Sequence, residues 1–384
     1  MVVDSSLALG VLLVVAAAAG WVIARLTTRR TTTTRSAVPP ADFYRGLNHL
    51  LRDESDKALA VLQSIAEADS GMVEIHFALG TLFRQRGETD RAIRIHQNLL
   101  ARPDLARRHR EQALFSLAED YLKAGLFDRA EALFVQLIDQ GVQRSEALQR
   151  LVSIYERQRD WNQAIDARRQ LANLLPGNHA ETIAQYYCEI AQQARETNDL
   201  AQMRAALKSA RGASRNIVRG ALMRADLAIL KDDVSLAVKL YRKLLESTPE
   251  LAALVLLRLH GCFDATSAEL SRTLREALRR QPELANHLAK AALAADLSQN
   301  DVVAETIRTY IADNPALATL SENYEDNYSA LTEMLHSLGL ARLQFRCREC
   351  GYSAGDLFWQ CPACQSWDSA QTDIRITAEA TTEI

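Results

Sequence analysis

The chain has 384 residues, 24% charged and 48% hydrophobic, with a formal net charge of −3. Phosphate recognition needs clustered Lys and Arg, so this balance argues against nucleic acid as the partner. Eight histidines are scattered without a ligand spacing, and no glycine-rich phosphate loop, H-E-x-x-H or G-x-S-x-G run occurs, so the composition points away from an enzyme.

In chain order, the first element is an uncharged run from Ser5 to Ala24. As a helix these residues span about 30 Å, the thickness of a hydrocarbon core, which predicts a transmembrane helix within residues 1–25. Arg25, Arg29, Arg30 and Arg35 follow the run and no Lys or Arg precedes it, which places the N-terminus outside and the rest of the chain in the cytoplasm. A cleaved signal peptide is the competing reading, and the missing basic n-region argues against it. Trp21 suits an interfacial anchor, and residues 26–38 read as a juxtamembrane linker.

Residues 42–340 are rich in Ala, Leu, Arg, Glu and Gln and poor in Gly and Pro, which predicts an all-α region. A 34-residue period runs through it. Its eighth position is Gly46, Gly80, Ala118, Val152, Ala191, Ala225 and Ala292; its twentieth is Ala58, Ala92, Ala130, Ala164, Met203, Ala237 and Ala304. Small residues at these positions let two helices cross closely, and at the twentieth only Met203 departs. Phe83, Tyr121 and Tyr155 fill position eleven, Gly87 and Gly125 the turn at fifteen, and Pro176 and Pro249 the stop at thirty-two. These are tetratricopeptide repeats, with starts at 39, 73, 111, 145, 184, 218 and 285. The gap from 218 to 285 is 67 residues, so residues 251 to about 284 should hold a degenerate helical hairpin, eight hairpins in all over 39–340.

Such a stack should form a superhelix whose concave face, lined by the first helices, grips protein segments. The inward positions are Glu74, Phe77, Thr81 and Arg84, then Gln112, Phe115, Glu119 and Leu122, then Glu146, Gln149, Ser153 and Glu156. The first eight are the candidate partner-binding residues. The basic cluster Arg107, Arg108, His109 and Arg110 reads as a solvated loop or a site for an acidic partner. His96 occupies a packing seat, and Cys188 and Cys262 read as small buried side chains.

Last come Cys347, Cys350, Cys361 and Cys364, two C-x-x-C pairs separated by ten residues. That is the spacing of a tetrahedral four-thiolate site for one metal ion, iron or zinc, in a small module over 341–368. A pair of disulfides would need an oxidising compartment, which the topology does not provide. Trp359 and Trp367 should lend the module apolar surface, around the cluster or against the last helices. Residues 369–384 are expected to form a disordered tail.

Anchor, repeat array and four-cysteine module together resemble the lipopolysaccharide assembly protein B family of bacterial inner-membrane proteins. The most specific stretches are the run from Gly80 to Gln97, then Cys347 to Tyr352 and Leu357 to Trp367. The resemblance implies a rubredoxin-like or zinc-ribbon module in which the four cysteines match the metal ligands. Its spacer is shorter than that of rubredoxins themselves, and Gln365 stands where their second knuckle has Gly, so the expected role is metal-supported folding. A single-pass protein with a periplasmic N-terminus and no catalytic residues is implied. Its implied action is that of an adaptor: it restrains lipopolysaccharide synthesis by promoting degradation of the deacetylase of lipid A synthesis (LpxC) by the membrane protease FtsH. A scaffold for lipopolysaccharide synthesis or transport enzymes and a rubredoxin-like redox protein are the alternatives.

Overall fold

A computed structural model describes residues 54–280 and 341–376, except 69–71, 216 and 264–267, with isolated positions at 21, 44–52 and 281–309. The expected membrane span lies outside these residues apart from Trp21, as do Ala292 and Ala304 of the repeat register. No helix among the described residues is long and apolar enough to cross a membrane. The chain forms two compact units, Met1–Val142 and Gln143–Ile384.

The first unit contains α1 (Ser55–Ala68), α2 (Val73–Gln85), α3 (Thr89–Leu100), α4 (Arg107–Lys123) and α5 (Phe127–Asp139). The second contains α6 (Arg144–Gln158), α7 (Trp161–Ala172), α8 (His179–Glu196), α9 (Leu200–Ala213), α10 (Val218–Ile229), α11 (Val234–Ser247), α12 (Ala252–His260) and α13 (Ala268–Arg280). Helical hairpins therefore follow one another at the repeat period, and α12 and α13 occupy the stretch read as a degenerate hairpin. The small crossing residues are fully enclosed: Ala58, Ala92, Ala118, Ala130, Ala164, Ala191, Ala225 and Ala237 each expose 0% of their surface, and Met203 is the large exception, also at 0%. A longer side chain at these crossings would hold the two helices apart.

Five of the first helices end in the same way. After α2 and α4, Gly87 and Gly125 take positive φ, and the amides of Glu88 and Leu126 reach back to the carbonyls of Phe83 and Tyr121 at 2.8 and 2.9 Å. These 6→1 bonds satisfy carbonyls that the helix end would leave orphaned. In the second unit the left-handed seat belongs to Arg159, Asn198 and Asp232, and the next residue is always an aspartate. Asp160, Asp199 and Asp233 accept from Gln163, Gln202 and Leu236 amides, capping α7, α9 and α11. One residue turns the chain and its neighbour starts the next helix.

Beyond the helices, β1 (Ala341–Cys347), β2 (Ser353–Ala354) and β3 (Ala370–Ile376) form an antiparallel sheet in the order β2-β1-β3. The pairing runs from Ala341 with Ile376 to Cys347 with Ala370. This corrects the first part of the tail expected at 369–384: residues 370–376 are a strand that satisfies the backbone groups of β1 by pairing, and 377–384 lie outside the described residues.

Candidate metal centre and its seat on the repeats

The module is built from two knuckles with one hydrogen-bond pattern. The Cys347 amide donates to the Tyr352 carbonyl at 2.7 Å and the Gly351 amide to the Cys347 carbonyl at 3.0 Å. The Cys361 amide likewise donates to Ser366 at 2.9 Å, and the Gln365 amide to Cys361 at 2.8 Å. Each knuckle needs a left-handed residue at its fifth position: Gly351 has φ +77° and Gln365 φ +61°. Glycine takes this conformation freely, whereas glutamine pays for it.

These turns aim four sulfurs inward, all within 4.8 Å of one another. Cys347 Sγ lies 3.7 Å from Cys364 Sγ, and Cys350 Sγ 3.6 Å from Cys361 Sγ. A tetrahedron with metal–sulfur bonds of about 2.3 Å has edges of about 3.8 Å, so the four thiols fit a single zinc or iron ion. The Ser369 hydroxyl, 3.2 Å from Cys347 Sγ, stabilises the thiolate and draws that thiol down to about 6; Ser366 acts similarly on Cys364. Among the module's described side chains only Phe345, Cys347, Cys361 and Ser369 are buried. Two of these four are thiols of the cluster, so Phe345 is the one large apolar side chain buried among the module's described residues.

The repeats of the same unit add apolar surface to it. The Trp367 indole stands edge-on to Trp161 and Tyr186, with ring centroids 6.1 and 5.7 Å away, and Nε1 donates to Glu156 Oε1 at 3.2 Å. Tyr186 donates its hydroxyl to the same carboxylate, and burial and that negative charge push its phenol well up, so it remains a donor. Trp359 lies over the Arg219 guanidinium, 5.6 Å from the charge, and packs against the cluster around Leu222 and Tyr241. Arg219 is itself buried and paired with Glu189 at 2.8 Å. The module thus rests on α6, α7, α8 and α10. Of the two expected seats, around the thiols or against the last helices, Trp359 takes the second, in a cluster that extends to Leu274 and Leu278, whereas Trp367 sits on the middle helices, where Trp161 and Tyr186 offer stacked rings.

The candidate partner-binding residues divide. Glu74 and Gln112 are exposed, and Thr81, Phe115, Glu119 and Leu122 are half-buried. Phe77 is buried with Leu99 and Ala113, against the rings of His96 and His109, so it fills the joint between α2, α3 and α4. Arg84 donates to Asp120 Oδ1 at 2.7 Å and to the Ser116 carbonyl at 3.2 Å. Both face the neighbouring repeat, and the next first helix covers them. Of the third set, Glu146 and Gln149 are exposed, and Glu156 is the carboxylate beneath Trp367.

Of the remaining sequence candidates, the basic cluster at 107–110 is the first turn of α4 and not a loop, with Arg107 and Arg108 exposed. His96 is fully buried, donating from Nδ1 to fully buried Asp120. Arg107 pairs with Glu111 at 2.8 Å, and Arg110 donates to the carbonyls of Leu100 and Arg102 closing the turn before α4. Cys188 is buried, its thiol pushed up to about 12 by desolvation, and Cys262 donates to the Arg258 carbonyl at 3.3 Å. Sequence reasoning missed Asp120, Trp161, Tyr186 and Arg219. Asp120 had a signal: a carboxylate one residue before Tyr121, within the apolar stripe of α4.

Comparison with known proteins agrees with this architecture. Residues 345–371 match the family model described as "Rubredoxin metal binding domain", and residues 75–111 and 147–178 match "Tetratricopeptide repeat". The chain is 31% identical over 342 residues to the lipopolysaccharide assembly protein B of Escherichia coli K12, covering 85% of this chain and 88% of that protein. It is 30% identical over 353 residues to the protein of that name from Haemophilus influenzae, with the same coverage. Among solved structures, the C-terminal part of a tetratricopeptide-repeat protein from Cytophaga hutchinsonii is similar at 13% identity and a TM-score of 0.39, covering 64% of this chain and 99% of that one.

Proposed function

We propose, since this chain belongs to the lipopolysaccharide assembly protein B family, that it is a non-enzymatic adaptor that controls lipopolysaccharide assembly at the inner membrane. Its partners are the FtsH protease and the deacetylase LpxC, whose degradation it promotes. The anchor within residues 1–25 confines the repeats to the membrane surface, with the N-terminus in the periplasm and the remaining chain in the cytoplasm. Confinement raises the effective concentration of weakly bound partners. The repeats over 39–340 supply the contact surface, and Cys347, Cys350, Cys361 and Cys364 hold one zinc or iron ion. The bound ion supplies the cross-link that folds the module.

The observation that carries this reading is the near-complete match to relatives bearing that name, joined to a repeat scaffold. The few buried side chains among the module's described residues support a structural ion over a redox centre. Crosslinking in native membranes followed by identification of the attached proteins tests the proposal. Recovery of FtsH together with the deacetylase is expected. Recovery of other envelope enzymes without FtsH would favour the assembly-scaffold reading.

A further inference from the structure

The contact between module and repeats is made by a side chain whose position the thiol cluster dictates. Trp367 follows Cys364 by three residues and is bridged to Gln360, next to Cys361; the Asp368 amide donates to the Trp359 carbonyl at 2.8 Å. Both tryptophans are therefore fixed by the second knuckle, which carries two left-handed non-glycine residues, Gln365 and Asp368. Cys361 is the one buried residue of this knuckle, so the knuckle keeps its shape only while its thiols are joined.

The receiving surface is specific for an indole. Two stacked rings meet the edge of Trp367, and a carboxylate meets its N–H. Glu156 already accepts from the Tyr186 hydroxyl, so the acceptor is held in place before the indole arrives. We propose that Glu156, Trp161 and Tyr186 form a tryptophan-docking site where α6, α7 and α8 meet, filled in cis by Trp367 when the four-cysteine module holds its ion and vacated when the ion is lost. The metal module is then a latch that covers or uncovers this part of the repeat surface. This rests on the four cysteines being the metal ligands, which the experiment checks separately.

The test uses the full chain in detergent, with metal content measured by atomic emission and backbone hydrogen exchange followed across α6 and α8. Chelation should speed exchange there by at least about tenfold, equivalent to about 1.4 kcal/mol, and zinc added back should restore protection. Trp367→Ala should retain its metal yet exchange at the chelated rate, with no further change on chelation. Trp367→Phe, which keeps a ring and loses the N–H, should fall between. Unchanged exchange on chelation, or protection retained in Trp367→Ala, would overturn the latch. A purified chain without metal would overturn the ligand assignment and the latch with it.

Discussion

Gly80 lies so close beneath His96 that a Cβ on it would stand 2.4 Å from Cε1 and 2.5 Å from Nε2 of the imidazole. The ring cannot retreat, because Nδ1 is bound to Asp120 and the side chain is fully enclosed. Gly80→Ala gains up to about 1 kcal/mol of helix propensity. It should nonetheless lose roughly 1–3 kcal/mol net through overpacking. In a His96→Ala background the same change should be neutral or stabilising, and chemical denaturation of the four combinations measures the coupling.

The Arg84–Asp120 pair makes a second stability prediction. Asp120 is fully buried, and Arg84→Glu would set a second carboxylate against it. A loss of roughly 3–5 kcal/mol is expected from breaking such a pair. Gln112→Lys, on the exposed surface of α4, should stay within about 0.5 kcal/mol. Equal denaturation midpoints for the two variants would contradict the assignment of Arg84 to the fold.

Replacing Cys347 and Cys350 with Ser removes two of the four thiolates. Because structural sites of this kind bind with on the order of 10 kcal/mol, the double variant should lose its metal and the sheet of the module while far-ultraviolet dichroism reports intact helices. Metal content equal to that of the parent chain would show that these are not ligands.

Gln365 holds a left-handed conformation that costs a non-glycine residue about 1 kcal/mol or more. Gln365→Gly removes that strain, partly offset by the greater freedom of glycine in the unfolded chain. The variant should hold its metal against a competing chelator up to a few-fold better. Weaker retention would mean that the Gln360 side-chain contact to the Gln365 carbonyl, 3.3 Å long, depends on glutamine at 365.

The anchor is expected to act by placement. An unrelated membrane helix of the same orientation in place of Ser5 to Ala24 should preserve function, whereas a chain starting near Ala41 should fold and act poorly. Complementation of a depleted strain measures both, and full activity of the soluble form at native levels would show the anchor to be dispensable.

Much of this architecture is legible in the sequence because the repeat imposes the same steric demand again and again. Small residues at the two crossing positions identify each hairpin without knowledge of its neighbours. The thiol cluster is legible for the same reason: two short spacings fix two turns. What escapes is long-range. Trp367 meets Glu156 across 211 residues, and no local pattern in either segment names the other. Phe77 and Arg84 were placed on the inward face by helical phase alone, and only the position of the next first helix decides that they are covered. The strand at 370–376 carries no strand signal in its sequence, where Gln371, Thr372 and Asp373 interrupt any apolar run; pairing with β1 supplies what composition does not.

The central claim, action as an adaptor for proteolysis, is tested most directly by a pulse-chase measurement of deacetylase half-life in cells with and without this protein. A longer half-life on depletion, with lipopolysaccharide rising and the protease's activity on another substrate unchanged, is the expected result. The same half-life in both would contradict the adaptor reading.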